Sequence, residues 1–128
     1  MVDILLDTNI VIYLLAQNQK YLSFLKSLRS KRIGISVVSY MELLVGARSD
    51  RDMTDIRSIL RHFTIIPLDP SIAEECAGAL RRRKRRSLRN PRLADIVIAQ
   101  TALRLGIPLA TNNPKDFSSF KALKILVP

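Results

Sequence analysis

The sequence is poor in several residue types, and each shortage excludes a class of protein. There is one cysteine, Cys76, so no intrachain disulfide can form and a disulfide-stapled secreted scaffold is excluded. There is one histidine, His62, near the end of an expected helix. One Cys and one His cannot make a standard zinc site. A Ser–His–Asp triad would depend on His62 alone, whose setting beside Phe63 suits a structural or surface residue. Tryptophan is absent and aromatics are 5% of the chain, which leaves little material for base-stacking platforms. The four glycines are scattered and form no phosphate-binding loop. The longest apolar run with membrane potential, Ile10 to Ala16, is far too short to span a bilayer. Asp3 and Asp7 interrupt the apolar N-terminal stretch, which has no signal-peptide layout. The expectation is a cytoplasmic protein without membrane attachment.

Acidic residues are also scarce. Asp and Glu total 11 against 21 Lys and Arg, a formal net charge of +10 over 128 residues. A surface this basic draws polyanions. With 48% hydrophobic residues there is enough apolar material for a sizeable core, and the length suits one domain covering residues 1–128. Cys76 falls on an apolar helix face and reads as a small core residue.

Apolar runs and turn signals alternate along the chain. Val2–Leu6 reads as a buried strand, followed by the polar turn Asp7-Thr8-Asn9 and a helix from Ile10 to Ala16. Tyr21, Leu22, Leu25 and Leu28 recur at helical spacing, which predicts a helix over Lys20–Leu28. Ile33–Val37 is the next strand. Ser39 with Glu42 three residues on matches a capping box, and Val38 and Leu43 stand at hydrophobic-staple positions. A helix over Asp52–His62 points Met53, Ile56, Ile59 and Leu60 inward. Thr64–Pro67 follows as a strand. Asp69-Pro70 opens a helix with Ile72, Cys76, Ala77 and Leu80 on one face. Asn90-Pro91 opens another that Gly106 stops near Leu105. Pro108–Thr111 is a strand, Asn113-Pro114 repeats the cap-and-proline signal, and Leu123–Val127 is a last strand. Strands alternating with helices predict an α/β fold: a three-layer α/β/α sandwich around a mainly parallel sheet.

Four acids stand where chemistry is expected. Asp7 ends the first strand, at the edge where open parallel sheets bind ligands; it is equally well placed to cap the following helix. Glu42 has the capping-box reading beside a place at the rim of a cleft. Asp95 is the single charge in Leu93–Leu103, a segment apolar on nearly all sides. A buried carboxylate must be paired, hydrogen-bonded, neutralised or metal-bound; a salt bridge to Arg92 is the structural alternative. Asp116 follows the strand ending at Thr111 and shares its place with a cap role at N3, while Asn113 has its own reading as N-cap. Such hard oxygen donors suit Mg²⁺ or Mn²⁺ held partly through water. Arg81, Arg82, Arg83, Lys84, Arg85, Arg86, Arg89 and Arg92 place eight basic residues in twelve positions with no acid among them. They read as a solvated helix end, as a phosphate-backbone binding segment, or as a docking site for an acidic partner.

Four stretches together resemble the PIN domain, specifically the VapC type of toxin from toxin–antitoxin pairs, over essentially the whole chain. Ile4-Leu5-Leu6-Asp7-Thr8-Asn9 resembles the family's first strand and its Asp-Thr/Ser-Asn turn. Ile35-Ser36-Val37-Val38-Ser39-Tyr40-Met41-Glu42-Leu43 resembles the segment bearing its second acid. Asp95-Ile96-Val97-Ile98-Ala99-Gln100-Thr101-Ala102 resembles its third-acid helix, and Thr111-Asn112-Asn113-Pro114-Lys115-Asp116-Phe117 its Thr-x-Asn-x-x-Asp-Phe segment. The arginine-rich approach to Asp95 departs from many relatives. The resemblance implies a metal-dependent endoribonuclease with Asp7, Glu42, Asp95 and Asp116 at the metal site. Thr8 and Asn113 would be supporting catalytic residues, and Thr111 would lie near the metals. RNA is the implied substrate, a cognate antitoxin the implied inhibitor and a homodimer the implied assembly. The alternatives are a PIN nuclease of RNA processing or DNA cleavage, and an inactive basic nucleic-acid-binding subunit.

Overall fold

In the computed structural model, residues 1–82 and 92–128 are described. The elements run β1 (Ile4–Leu6), α1 (Thr8–Leu15), α2 (Gln19–Ser27), β2 (Ile33–Ser36), α3 (Val37–Val45), α4 (Asp50–Leu60), β3 (Thr64–Ile66), α5 (Pro70–Arg82), α6 (Leu93–Leu105), β4 (Leu109–Ala110), a 3-10 turn (Pro114–Phe117) and β5 (Ile125–Leu126). The strands form one sheet in the order β3-β2-β1-β4-β5, and all four pairings are parallel.

Alternation along β1 builds the three layers. Ile4 and Leu6 face Ile10, Val11 and Leu14 of α1, Leu43 of α3, and Ile56 and Leu60 of α4. Leu5 faces the opposite side, where Ile98, Ala99 and Ala102 of α6 meet Leu109 and Phe117. Ile72 and Cys76 of α5 close over Ile96 and Val97. The expected sandwich is therefore present, and Cys76 is the buried core residue that its helical spacing indicates. Among the described residues no helix is long and apolar enough to cross a membrane.

Several local expectations are corrected. Strand β2 ends at Ser36, and its side chain, not that of Ser39, caps α3 by accepting from the Val38 N–H. Ser39 lies inside the helix and is fully buried, so the capping box and its hydrophobic staple do not form. Val37, expected as the last residue of the strand and β-branched, instead opens α3, and Val38 follows it in the first turn, both partly buried. Helix α1 starts at Thr8, directly after Asp7, and α4 starts at Asp50 behind the N-cap Ser49. On α5, Asp69 caps as expected through the Ile72 N–H, but Ala77 and Leu80 are exposed. Gly106 stops α6 in the left-handed region at φ 67°. The Asn90-Pro91 signal lies outside the described residues.

The sheet order places the site. From β1 the chain winds outward through β2 and β3, then crosses to the other side of β1 with β4 and β5. The reversal falls between β1 and β4, and the crevice at the carboxyl ends of those two strands is where open α/β sheets bind ligands. Asp7 follows β1 there, and Thr111 follows β4.

Candidate active site

Asp7 is buried and both of its carboxylate oxygens are held. Oδ1 accepts from the Thr8 N–H at 2.8 Å, and Oδ2 accepts from the Thr111 hydroxyl at 2.7 Å. Thr111 is itself fully buried and accepts from the Asn113 N–H at 3.0 Å. The capping reading of Asp7 is met: it is the N-cap of α1, and the same side chain stands at the switch point of the sheet.

Thr8 forms the second anchor. Its hydroxyl lies 2.7 Å from Glu42 Oε1 and 2.8 Å from Ser39 Oγ. It has one proton, and a charged acceptor makes the stronger bond. Thr8 therefore donates to Glu42 and accepts from Ser39. Glu42 belongs to the second turn of α3, half-buried, with its side chain drawn toward the sheet edge by this bond. Two threonines at the ends of β1 and β4 thus each give their one proton to a site carboxylate and take a proton from a donor behind them.

Asp95 is buried at 7% exposure in the first turn of α6. Arg92, the residue preceding the helix, places Nε 3.9 Å from Asp95 Oδ2 and Nη2 3.5 Å from Glu42 Oε2. The salt-bridge reading of Asp95 is present, but long. Asp116 sits on the 3-10 turn and is exposed, its own N–H bonding to the Asn113 carbonyl. Asn113 precedes that turn without a side-chain cap bond, so its expected capping role is not met.

Burial pushes the Asp7 carboxyl above its ordinary value, and the charges of Glu42 and Asp116 push it further up; the Thr111 hydroxyl and Thr8 N–H oppose them. Burial also raises Asp95, followed by the charge of Asp7. The Arg92 guanidinium opposes this, the Asp116 charge adds to it, and a backbone hydrogen bond from Arg92 again opposes it. Asp7 thus feels the charges of Glu42 and Asp116, and Asp95 those of Asp7 and Asp116. Among the described residues, however, no three His, Cys, Asp or Glu side chains converge closely enough to form a ready-made metal cage.

Of the basic residues, Arg81 and Arg82 end α5 with exposed side chains, and Arg92 borders the acids. Arg83, Lys84, Arg85, Arg86 and Arg89 lie outside the described residues. Sequence reasoning missed the role of Ser39, because its spacing to Glu42 imitated a capping box. The alternative signal was Ser36, three residues earlier and directly after the apolar strand.

A parallel three-layer sandwich with an acidic crevice at the switch between β1 and β4 defines a class found among known proteins. A family model described as PIN domain matches residues 4–123. Ribonuclease VapC10 of Mycobacterium tuberculosis is 38% identical over 92 residues, which is 72% of this chain and 68% of that protein. A toxin–antitoxin complex from Klebsiella pneumoniae superposes with a TM-score of 0.76 at 27% identity, covering 97% of this chain and 96% of the other. VapBC2 from Rickettsia felis, bound to a promoter DNA fragment, shares the fold with a TM-score of 0.86 at 22% identity, covering 98% of each chain. The chain belongs to the PIN domain family and is of the VapC type.

Proposed function

We propose that this chain is a divalent-metal-dependent endoribonuclease, one PIN domain acting as the toxin of a toxin–antitoxin pair in the cytoplasm. The observation that carries the reading is Asp7. A carboxylate held at both oxygens, buried, and placed at the switch point of a parallel sheet is a preorganised anion facing three further acids.

The donor set fits a small hard cation. Mg²⁺ takes oxygen ligands, keeps several waters, and is commonly held by only one or two carboxylates. Such a site needs no dry cage of three acids, and two carboxylates raised first by burial and further by neighbouring acids gain from a cation beside them. Asp7 and Asp95 would hold Mg²⁺ or Mn²⁺ directly, with Glu42 and Asp116 assisting through carboxylate or water contacts. When bound, the cation supplies charge neutralisation and Lewis-acid assistance to in-line hydrolysis of a phosphodiester.

The chain's own groups supply the rest. Thr111 and Thr8 fix the orientations of Asp7 and Glu42, so that little reorganisation is needed when substrate arrives. Asn113 holds the Thr111 oxygen through its N–H. The basic residues Arg81 to Arg86, Arg89 and Arg92 attract the phosphate backbone; such contacts position RNA without specifying its sequence. VapC10 is described as a ribonuclease and the Klebsiella neighbour as a toxin–antitoxin complex. These support RNA as substrate, an antitoxin as partner and, with the family resemblance, a homodimer.

The test is cleavage mapping on total RNA with Mg²⁺ or Mn²⁺, with and without chelator, beside Asp7→Asn and Asp95→Asn. Divalent-dependent cleavage lost in both folded variants is the expected result. RNA binding without cleavage would replace the nuclease by a basic binding subunit. Full activity in both variants would overturn the site assignment.

A further inference from the structure

Arg92 breaks the local rules of its position. It is the N-cap of α6, yet it makes no side-chain cap bond, and the residues favoured there are Ser, Thr, Asp and Asn. A cation at a helix N-terminus also opposes the helix dipole. Within α6 its partner is Asp95, three residues on, at a long 3.9 Å. A second partner lies across the crevice: one guanidinium spans Glu42 on α3 and Asp95 on α6, at 3.5 and 3.9 Å. The side chain is 75% exposed. Contacts this long and this wet are weak, so Arg92 is loosely held between two carboxylates that belong to different elements.

We propose that Arg92 is an exchangeable counter-ion of the site, which partly offsets the charge of Glu42 and Asp95 in the cation-free protein and transfers to an RNA phosphate when a divalent cation enters. The inference rests on the metal-dependent reading above. A guanidinium and a divalent cation that both draw on Asp95 and Glu42 repel each other at that short range. Entry of the cation therefore drives the side chain out. It remains tethered at the mouth of the crevice by its place before α6. There its planar fork of N–H donors matches phosphate oxygens. The exchange offsets one of the site's acidic charges while the cation is absent and reserves the guanidinium for phosphate until the cation is in place.

The experiment uses the full chain. Mn²⁺ binding is measured by calorimetry without RNA for the wild type, Arg92→Gln and Lys115→Gln. Lys115 neighbours Asp116 on the 3-10 turn and is exposed, so it controls for a general loss of positive charge. Removing a competitor held by weak contacts should tighten Mn²⁺ binding roughly three- to tenfold in Arg92→Gln, and by less in Lys115→Gln. At saturating Mn²⁺, kcat/KM for RNA should fall roughly tenfold in Arg92→Gln although the cation is bound more tightly. That opposition of sign is the signature of the exchange. Unchanged or weaker Mn²⁺ binding in Arg92→Gln, or tightening no greater than in Lys115→Gln, would overturn it. So would undiminished kcat/KM. A wild type that binds no Mn²⁺ would overturn the metal-dependent function itself, and the counter-ion role with it.

Discussion

Thr111→Val removes the hydroxyl that orients Asp7 while nearly preserving the shape of the side chain. Thr111 is fully buried, so its pocket stays filled and no cavity term arises. Two hydrogen bonds are lost, one to Asp7 Oδ2 at 2.7 Å and one from the Asn113 N–H at 3.0 Å. Asn113 is exposed, and its N–H can turn to water. The bond to Asp7 dominates, and a hydrogen bond to a charged, buried group contributes about 1.5–3 kcal/mol. The expected loss at pH 8 is therefore about 2–3 kcal/mol. The hydroxyl favours the ionised carboxylate and so holds the Asp7 value down against burial; the valine lets it rise further. Once Asp7 is protonated, only an ordinary neutral bond is forfeited, about 1 kcal/mol. The cost of the substitution must then grow as pH rises through the titration of Asp7. Urea unfolding followed by circular dichroism from pH 4 to 8, with chelator throughout, measures it directly. A loss that is independent of pH, or larger in acid, would refute the reasoning.

Asp7 and Asp95 are both raised, first by burial, so the folded state binds their protons more tightly than the unfolded chain. Their contribution to stability is complete below the unfolded value and is lost as pH rises through the folded ones; in Asp7→Asn the decline of melting temperature toward neutral pH should be shallower, with chelator present. At pH 7.5, Mg²⁺ at a hundred times its dissociation constant should stabilise the wild type by about 2.7 kcal/mol and Asp7→Asn by far less. Ser39→Ala should cost about 1–2 kcal/mol and couple to Thr8→Val by about 1 kcal/mol in a double-mutant cycle, because Ser39 donates to the Thr8 oxygen; additive losses would return Ser39 to a purely local role. Gly106→Ala should cost about 1 kcal/mol with no repacking, since its φ is 67° and an added Cβ meets nothing within 4 Å.

The layers of the fold were legible because period 2 and period 3.6 patterns differ where the core is deep. Leu5 between Ile4 and Leu6, and the all-round apolar surface of α6, left few alternatives. Boundaries were less legible where local propensity and tertiary packing disagree. Val37 favours strand, but the sheet ends at Ser36 and α3 begins at Val37, with Val38 behind it packed against α5 and α6. At the C-terminus, Leu123–Val127 narrows to a two-residue strand because β4, its partner, is itself only two residues long. On α5 the helical period correctly buried Ile72 and Cys76 but left open how wide the buried stripe is, and Ala77 and Leu80 fall outside it.

The site was legible as a set of acids but not as a geometry, and the reason is topological. In a parallel sheet each connecting helix runs back against the strands, so helix N-termini gather at the carboxyl edge of the sheet. That is also the edge that binds ligands. A carboxylate that caps a helix there is at the same time a carboxylate that faces the crevice, and the two readings of Asp7 were never exclusive. Asp7 caps α1 through the Thr8 N–H and faces the switch point; Asp95, in the first turn of α6, takes a backbone bond from Arg92 and still feels the charge of Asp7. Glu42 is the exception that separates the cases. It lies in the second turn of α3, beyond any capping position, and is tied to the end of β1 by Thr8 and to Asp95 by Arg92. A side chain with no local reason for its placement, held by a residue 34 positions away in the chain, is the strongest sign that the crevice and not the helix selects these acids. The same reasoning picks out Arg92, which reaches beyond its own helix to Glu42 across the crevice.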